Sequence, residues 1–239
     1  MDEAYVAVHL EEDRHHWWFQ GRLRVLLAAL RAALPRRRLR LLELGCGSGN
    51  VMRALGEFGD VVGMEPDERL IAAARADGLD VRRGTIPADL VVAEGWADVV
   101  LLLDVLEHLD DEAAALATAR RALTAGGTLI ITVPAFAWLW SAHDRALGHR
   151  RRYSARQLRR VVERAGFAVT RVTYFSTLLF PGFALVRWLK RDRGAQAHDL
   201  RRPPPALNAM LAWCFAVERY LVPRVRLPVG SSLLLIAHR

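Results

Sequence analysis

Residues 41–50 read Leu41-Leu42-Glu43-Leu44-Gly45-Cys46-Gly47-Ser48-Gly49-Asn50. A short apolar run carrying one acid gives way to three glycines at alternate positions. No other stretch constrains the fold as strongly. The apolar run reads as a buried strand. Glycine has no Cβ, so the backbone can turn sharply and a ligand can approach it closely. The turn opens a helix whose first N–H groups lack internal partners. Strand, tight turn and helix begin an open α/β sheet, which holds its ligand at the carboxyl ends of the strands.

The spacing narrows the ligand. Dinucleotide-binding loops follow G-x-G-x-x-G, with the pyrophosphate on the helix N-terminus. Here the pattern is E-x-G-x-G-x-G. A carboxylate at that place repels a pyrophosphate and suits an ammonium or sulfonium charge.

The rest of the chain alternates. Leu23, Leu26, Leu27, Leu30 and Leu34 recur at helical spacing across residues 17–34, ended by Pro35 and Arg36-Arg37-Arg38. Strands are predicted over 39–44, 61–65, 81–83, 97–103, 127–133, 167–174 and 231–238. Helices are predicted over 51–57, 68–76, 111–123 and 155–165. Ser154 and Gln157 have the spacing of a capping box for the last of these. Leu158, Val161, Val162 and Ala165 would form its buried stripe, with Arg156, Arg159 and Arg160 outside it. Such alternation implies βαβ units and a parallel sheet covered on both faces.

The chain has 239 residues, 52% apolar and 25% charged, which is a globular composition. Its net charge is +8, almost all from arginine, since Lys190 is the only lysine. Residues 144–164 concentrate this charge, with eight arginines against Asp144 and Glu163. Such a patch favours anionic partners. Cys46 and Cys214 make neither a disulfide framework nor a zinc site, so no metal is expected. Met1-Asp2-Glu3 opens no signal peptide. The apolar stretches 174–189 and 206–222 are broken by Pro181, Arg187, Asn208, Glu218 and Arg219, too often for a membrane span. The expectation is a cytoplasmic protein, with peripheral membrane attachment as the alternative.

Further features fall in a fixed order. Glu65 ends the second strand, where an acid can accept both hydroxyls of a ribose. Gly84-Thr85 ends the third strand, Asp104 ends the fourth, and Gly126-Gly127 turns into the fifth. The stretches LLELGCGSGN, VVGMEPDERLIAAAR, DVVLLLDVLEHL and LTAGGTLIITVP together resemble the class I S-adenosylmethionine-dependent methyltransferases, particularly their small-molecule branch. The resemblance covers about residues 39–174 and the terminal strand.

It implies a Rossmann-like, seven-stranded, mostly parallel α/β sheet with the last strand antiparallel. It implies S-adenosylmethionine as methyl donor and S-adenosylhomocysteine as product. Glu43, Gly45, Cys46, Gly47 and Gly49 would hold the methionine part, Glu65 the ribose, and Pro66 would flank it. Thr85 and Ile86 would border the adenine, where many relatives carry an acid. Asp104 and Val105 would lie beneath the sulfonium, with Leu106 nearby. Trp18 and Arg22 match a cap segment before the core. Arg22 could pair the methionine carboxylate, and an aromatic could contact the sulfonium. The corresponding organisation is a helical cap (1–38), a cofactor-binding core (39–177), a helical insertion (178–228) serving as lid or docking surface, and the final strand (229–239).

For the acceptor, the informative stretch runs from Trp138 to Tyr153. Methyl transfer to a hydroxyl needs alignment, a dry site and removal of a proton. His143 is the first candidate base, His149 the second, and His108 a third at the substrate pocket. These histidines could instead order the loop, with Asp144 fixing one of them. Asp144, Arg150, Arg151, Arg152 and Tyr153 are candidates for holding an anionic acceptor. The reading is O-methylation of a small-molecule or lipid/sugar-linked acceptor. Alternatives are N- or C-methylation of a small metabolite, a nucleic-acid methyltransferase, and a non-catalytic cofactor-binding module. Asp104-Val105-Leu106-Glu107 lacks the D/N-P-P-Y/F stretch of amino-methylating nucleic-acid enzymes, which argues against that rival.

Overall fold

The computed structural model describes residues 10–189 and 202–239. The basic stretch 190–201 and the first nine residues lie outside them. The chain divides into two compact units.

The sheet unit comprises Pro35–Val133, Ala155–Val172 and Leu234–Arg239. Its seven strands are β1 (Leu39–Leu44), β2 (Gly59–Glu65), β3 (Asp80–Arg83), β4 (Ala97–Leu103), β5 (Leu123–Pro134), β6 (Ala168–Phe175) and β7 (Ser232–His238). They lie in the order β3-β2-β1-β4-β5-β7-β6. The first five pair in parallel, and the sheet turns antiparallel at its end. The chain reverses direction across the sheet between β1 and β4, the kind of crevice where such sheets hold ligands. Leu41, Leu42, Leu44, Val100, Leu101 and Leu102 are wholly buried. Strands covered on both faces need continuous apolar runs of this kind.

The covering helices are α2 (Asn50–Leu55), α3 (Glu68–Ala76), α4 (Glu112–Ala122) and α6 (Ala155–Arg164), numbered in chain order after the N-terminal α1 described below. Asp67 and Asp111 cap α3 and α4 with their side chains. α6 starts directly after Ser154, and Leu158 and Val162 are fully buried. Val161 and Ala165 are only half-buried. Arg159 is half-buried rather than wholly outside, because it bonds Glu163 and the Val169 carbonyl. β5 begins four residues earlier than the glycine turn predicts. Leu123 already pairs with Ala97, and a register shift follows before Thr128 pairs with Val99.

The helical unit comprises Met1–Leu34, Pro134–Ser154 and Thr173–Leu233. Its helices are α1 (Trp17–Ala33), α5 (Ala142–Ala146), α7 (Phe180–Leu189) and α8 (Pro205–Val217). α1 packs on α8. A Cβ on Gly21 would sit 2.4 Å from the Phe215 ring, so glycine is what lets the two helices close. Asn208 ties the same pair: it accepts from the Trp17 N–H and donates to the His15 carbonyl, each at 2.9 Å. Glu218 is fully buried and accepts from the Thr177 and Leu178 N–H groups, ahead of α7. Burial pushes its carboxyl above the ordinary glutamate value, against the pull of those backbone bonds. Among the described residues, no helix is long and apolar enough to cross a membrane.

Candidate functional site

Within the sheet unit, the glycine turn occupies the crevice between β1 and β4. Gly45, Gly47 and Gly49 all have positive φ, at 75°, 57° and 78°. Side chains are strained there, and space is also lacking. A Cβ on Gly45 would meet Val105 at 2.7 Å, and one on Gly49 would meet Leu79 at 2.4 Å. The loop is bound to the neighbouring strand through the Gly45 and Cys46 N–H groups, which donate to the Met64 carbonyl.

Two acids flank this turn. Glu43 pairs in register between Gly63 of β2 and Leu101 of β4 and is 2% exposed. Glu65 ends β2. One of its carboxylate oxygens accepts from Gly47 N–H at 3.0 Å, the other from Asp67 N–H at 3.1 Å. Burial raises its carboxyl above the usual glutamate value, while those two bonds hold it back. Burial, and then the charges of Glu43 and Glu65, push the Cys46 thiol far up.

Asp104 follows β4 with φ 58°. It is held twice by Thr132 of β5: its N–H donates to the Thr132 carbonyl at 2.9 Å, and its Oδ1 accepts from the Thr132 hydroxyl at 3.2 Å. Thr132 was not foreseen, because nothing in an apolar strand marks one threonine as a support. Val105 is half-buried and Leu106 fully buried. Pro66 and Thr85 are exposed, and Ile86 is half-buried. The Thr85 N–H donates to Asp89 at 2.8 Å, so an acid does stand beside this loop, four residues further on. His108 ends the 3₁₀ turn Leu106–His108 and is half-buried.

Within the helical unit, the Arg22 guanidinium lies over the Trp18 ring, 5.4 Å from its centre. Trp18 and Arg22 are thus joined within α1, and Arg22 is buried. His16 caps α1: its Nδ1 accepts from the Trp18 N–H at 3.3 Å. Burial lowers its basicity, partly countered by Glu12.

The loop after β5 is organised around Asp144, which is fully buried. Its Oδ2 accepts from the Ser141 N–H at 2.8 Å and the Ser141 hydroxyl at 3.2 Å, a capping box that starts α5. Its Oδ1 lies 2.9 Å from His149 Nδ1 and accepts from Arg152 Nε at 2.7 Å. Arg152 also donates to the Ala135 carbonyl at 3.0 Å. Asp144 and Arg152 are therefore bonded to each other within the loop. A short helix needs its first N–H groups satisfied, and a buried guanidinium needs a carboxylate. Tyr153 is also buried, and its backbone bridges Pro134 and Phe136. Arg150 is exposed, and Arg151 and His143 are half-buried.

The same unit assembles an aromatic cluster that sequence reading missed. Phe136 stacks on Tyr174, with ring centres 5.0 Å apart and planes 13° apart. It also stacks on Trp138 at 5.7 Å, and Phe180 meets Trp138 edge-on. Only folding joins positions this far apart in the chain. Phe136 and Ser176, after β5 and β6, share with Asp104 a positive φ that is rare outside glycine.

Comparison with known proteins agrees with this arrangement. Residues 11–172 match the family model of a methyltransferase domain. A relative from Mycolicibacterium smegmatis, named a probable S-adenosylmethionine-dependent methyltransferase, is 32% identical over 134 residues, 54% of this chain and 52% of its own. A ubiquinone biosynthesis O-methyltransferase from Cereibacter sphaeroides is 39% identical over 107 residues, 42% of this chain and 43% of its own. The chain thus spans about half the length of the curated relatives it matches. A crystal structure of an Archaeoglobus fulgidus S-adenosylmethionine-dependent methyltransferase superposes over 100% of both chains with a TM-score of 0.62 at 15% identity. The family match over most of the sheet unit, on a seven-stranded and mostly parallel sheet, means that this chain belongs to the class I S-adenosylmethionine-dependent methyltransferases.

Proposed function

We propose that this protein transfers a methyl group from S-adenosylmethionine to an oxygen of a small-molecule or lipid/sugar-linked acceptor, with His149 as general base. The donor, when bound, supplies a methyl group on a sulfonium leaving group. The residues at the carboxyl ends of β1 and β2 fit it. Glu65 keeps acceptor capacity for paired hydroxyls, since each of its oxygens receives only one backbone N–H. The glycine turn leaves room for close approach, and Glu43 supplies the negative charge that a cationic donor needs. Asp104 is held by Thr132 for a place near the same group.

The observation that carries the choice of base is the 2.9 Å contact between His149 Nδ1 and Asp144 Oδ1. A carboxylate on Nδ1 selects the tautomer with Nδ1 protonated and leaves Nε2 as the proton acceptor. Asp144 is itself immobilised by Ser141 and Arg152, so it positions the imidazole. Arg150 and Arg151, which are less buried than Arg152, are the candidates to meet an anionic group of the acceptor. The match to ubiquinone O-methyltransferases supports oxygen as the methylated atom.

The test is a panel of hydroxylated acceptors with S-adenosylhomocysteine release as readout. His149→Ala should lower turnover about 10²-fold or more while donor affinity by calorimetry stays unchanged. If His149→Ala retains turnover and His143→Ala loses it, the base is His143.

A further inference from the structure

Ten large apolar side chains stand exposed among the described residues, and all ten belong to the helical unit. On α8, Leu207, Met210 and Trp213 recur at intervals of three and are 41%, 53% and 67% exposed. Ala212, Phe215 and Ala216 of the same helix are buried. α8 is therefore apolar on its packed side and again on its open side. Tyr220, Leu221 and Val225 continue the exposed set just beyond the helix. A helix apolar all round is normally buried on all sides, so this open face calls for a covering.

The charges around it indicate which one. From 202 to 230 the charged residues are Arg202, Glu218, Arg219, Arg224 and Arg226. The single acid, Glu218, is fully buried; Arg202 is paired with Glu12, and the remaining charged residues, Arg219, Arg224 and Arg226, are exposed and positive. Arg219 and Arg224 converge on Tyr220. Arg219 lies over its ring and donates to its hydroxyl, and Arg224 donates to its carbonyl at 2.8 Å. Tryptophan and tyrosine rings with arginines beside them suit a headgroup boundary, where the rings meet acyl chain and the guanidiniums meet phosphate.

We propose that the exposed face of α8 and the turn after it, residues 207–226, dock on the surface of an anionic phospholipid bilayer, lying in the interface without crossing it. This reading does not depend on the identity of the methyl acceptor or of the base.

The experiment is co-sedimentation of the full chain with vesicles of phosphatidylcholine alone or mixed with phosphatidylglycerol, across salt concentrations. Binding should need the anionic lipid and weaken with salt. The triple variant Arg219→Gln, Arg224→Gln, Arg226→Gln should lose on the order of a hundredfold in partitioning. Met210→Asp with Trp213→Asp should lose roughly tenfold or more. Both should leave circular dichroism and donor affinity unchanged, because these side chains are exposed and belong to the helical unit's surface. Failure to bind mixed vesicles, equal binding to neutral ones, or a concentration-dependent dimer abolished by Trp213→Asp would each overturn the proposal. The last result would assign the face to a second copy of the chain.

Discussion

Glu65 and Asp144 are both buried carboxylates, and they are held in opposite ways. A carboxylate offers about four acceptor positions. Glu65 receives two backbone N–H groups, one on each oxygen. Asp144 receives Ser141 twice, His149 and Arg152, and all four positions are filled. On the proposed reading, the acid that meets a ligand keeps capacity in reserve, while burial raises its proton affinity. An acid that must organise a loop is saturated by its own chain. Burial alone does not separate the two, and only the partners do.

Removing each carboxylate should therefore have opposite signatures. Asp144→Ala strands the buried Arg152 charge and the α5 cap together. We expect a stability loss of about 3–5 kcal/mol, read as a lowered urea midpoint. A loss below about 1 kcal/mol would mean that the loop is not built on this acid. Glu65→Gln should lower the urea midpoint much less than Asp144→Ala does, its amide losing one of two backbone N–H bonds, and weaken donor binding by about 1.5–3 kcal/mol in calorimetry. If the midpoint falls and affinity does not, Glu65 is structural too and the contrast fails.

The smallest effect concerns His16. Its lowered basicity means that the folded protein holds it neutral, with Nδ1 accepting from the Trp18 N–H. Its contribution is fully present above its ordinary value of 6.5 and fades as pH falls below that value toward the folded one. The helix should lose about 0.5–1 kcal/mol of capping over that range. Comparing acid titrations of wild type and His16→Asn by hydrogen exchange of α1 checks this. Identical profiles would show that His16 caps nothing that matters.

The glycine turn and its two flanking acids were readable in the sequence because they are local. Glu43 and the glycines lie within seven residues, and Glu65 ends the adjacent strand. Strand period, glycine spacing and an acid at a strand end are all properties of short segments. The acceptor loop was only half readable. The pairing of Asp144 with a histidine was foreseen as an alternative, but His149 was ranked below His143. Arg152 was grouped with Arg150 and Arg151 because a run of arginines does not reveal which one turns inward. Folding brings the Ala135 carbonyl and Asp144 to Arg152, across 17 and 8 residues.

The sequence by itself determined the alternating βαβ pattern of a parallel sheet, since periodicity is imposed by neighbouring residues, and its resemblance to a known family indicated the donor class. Only the tertiary structure decided which charged groups are saturated by the protein and which remain open to a ligand. It also decided which side of an all-apolar α8 is left without a cover. The physical reason is that hydrogen-bond capacity and burial are set by contacts between segments far apart in the chain, and no local pattern encodes them.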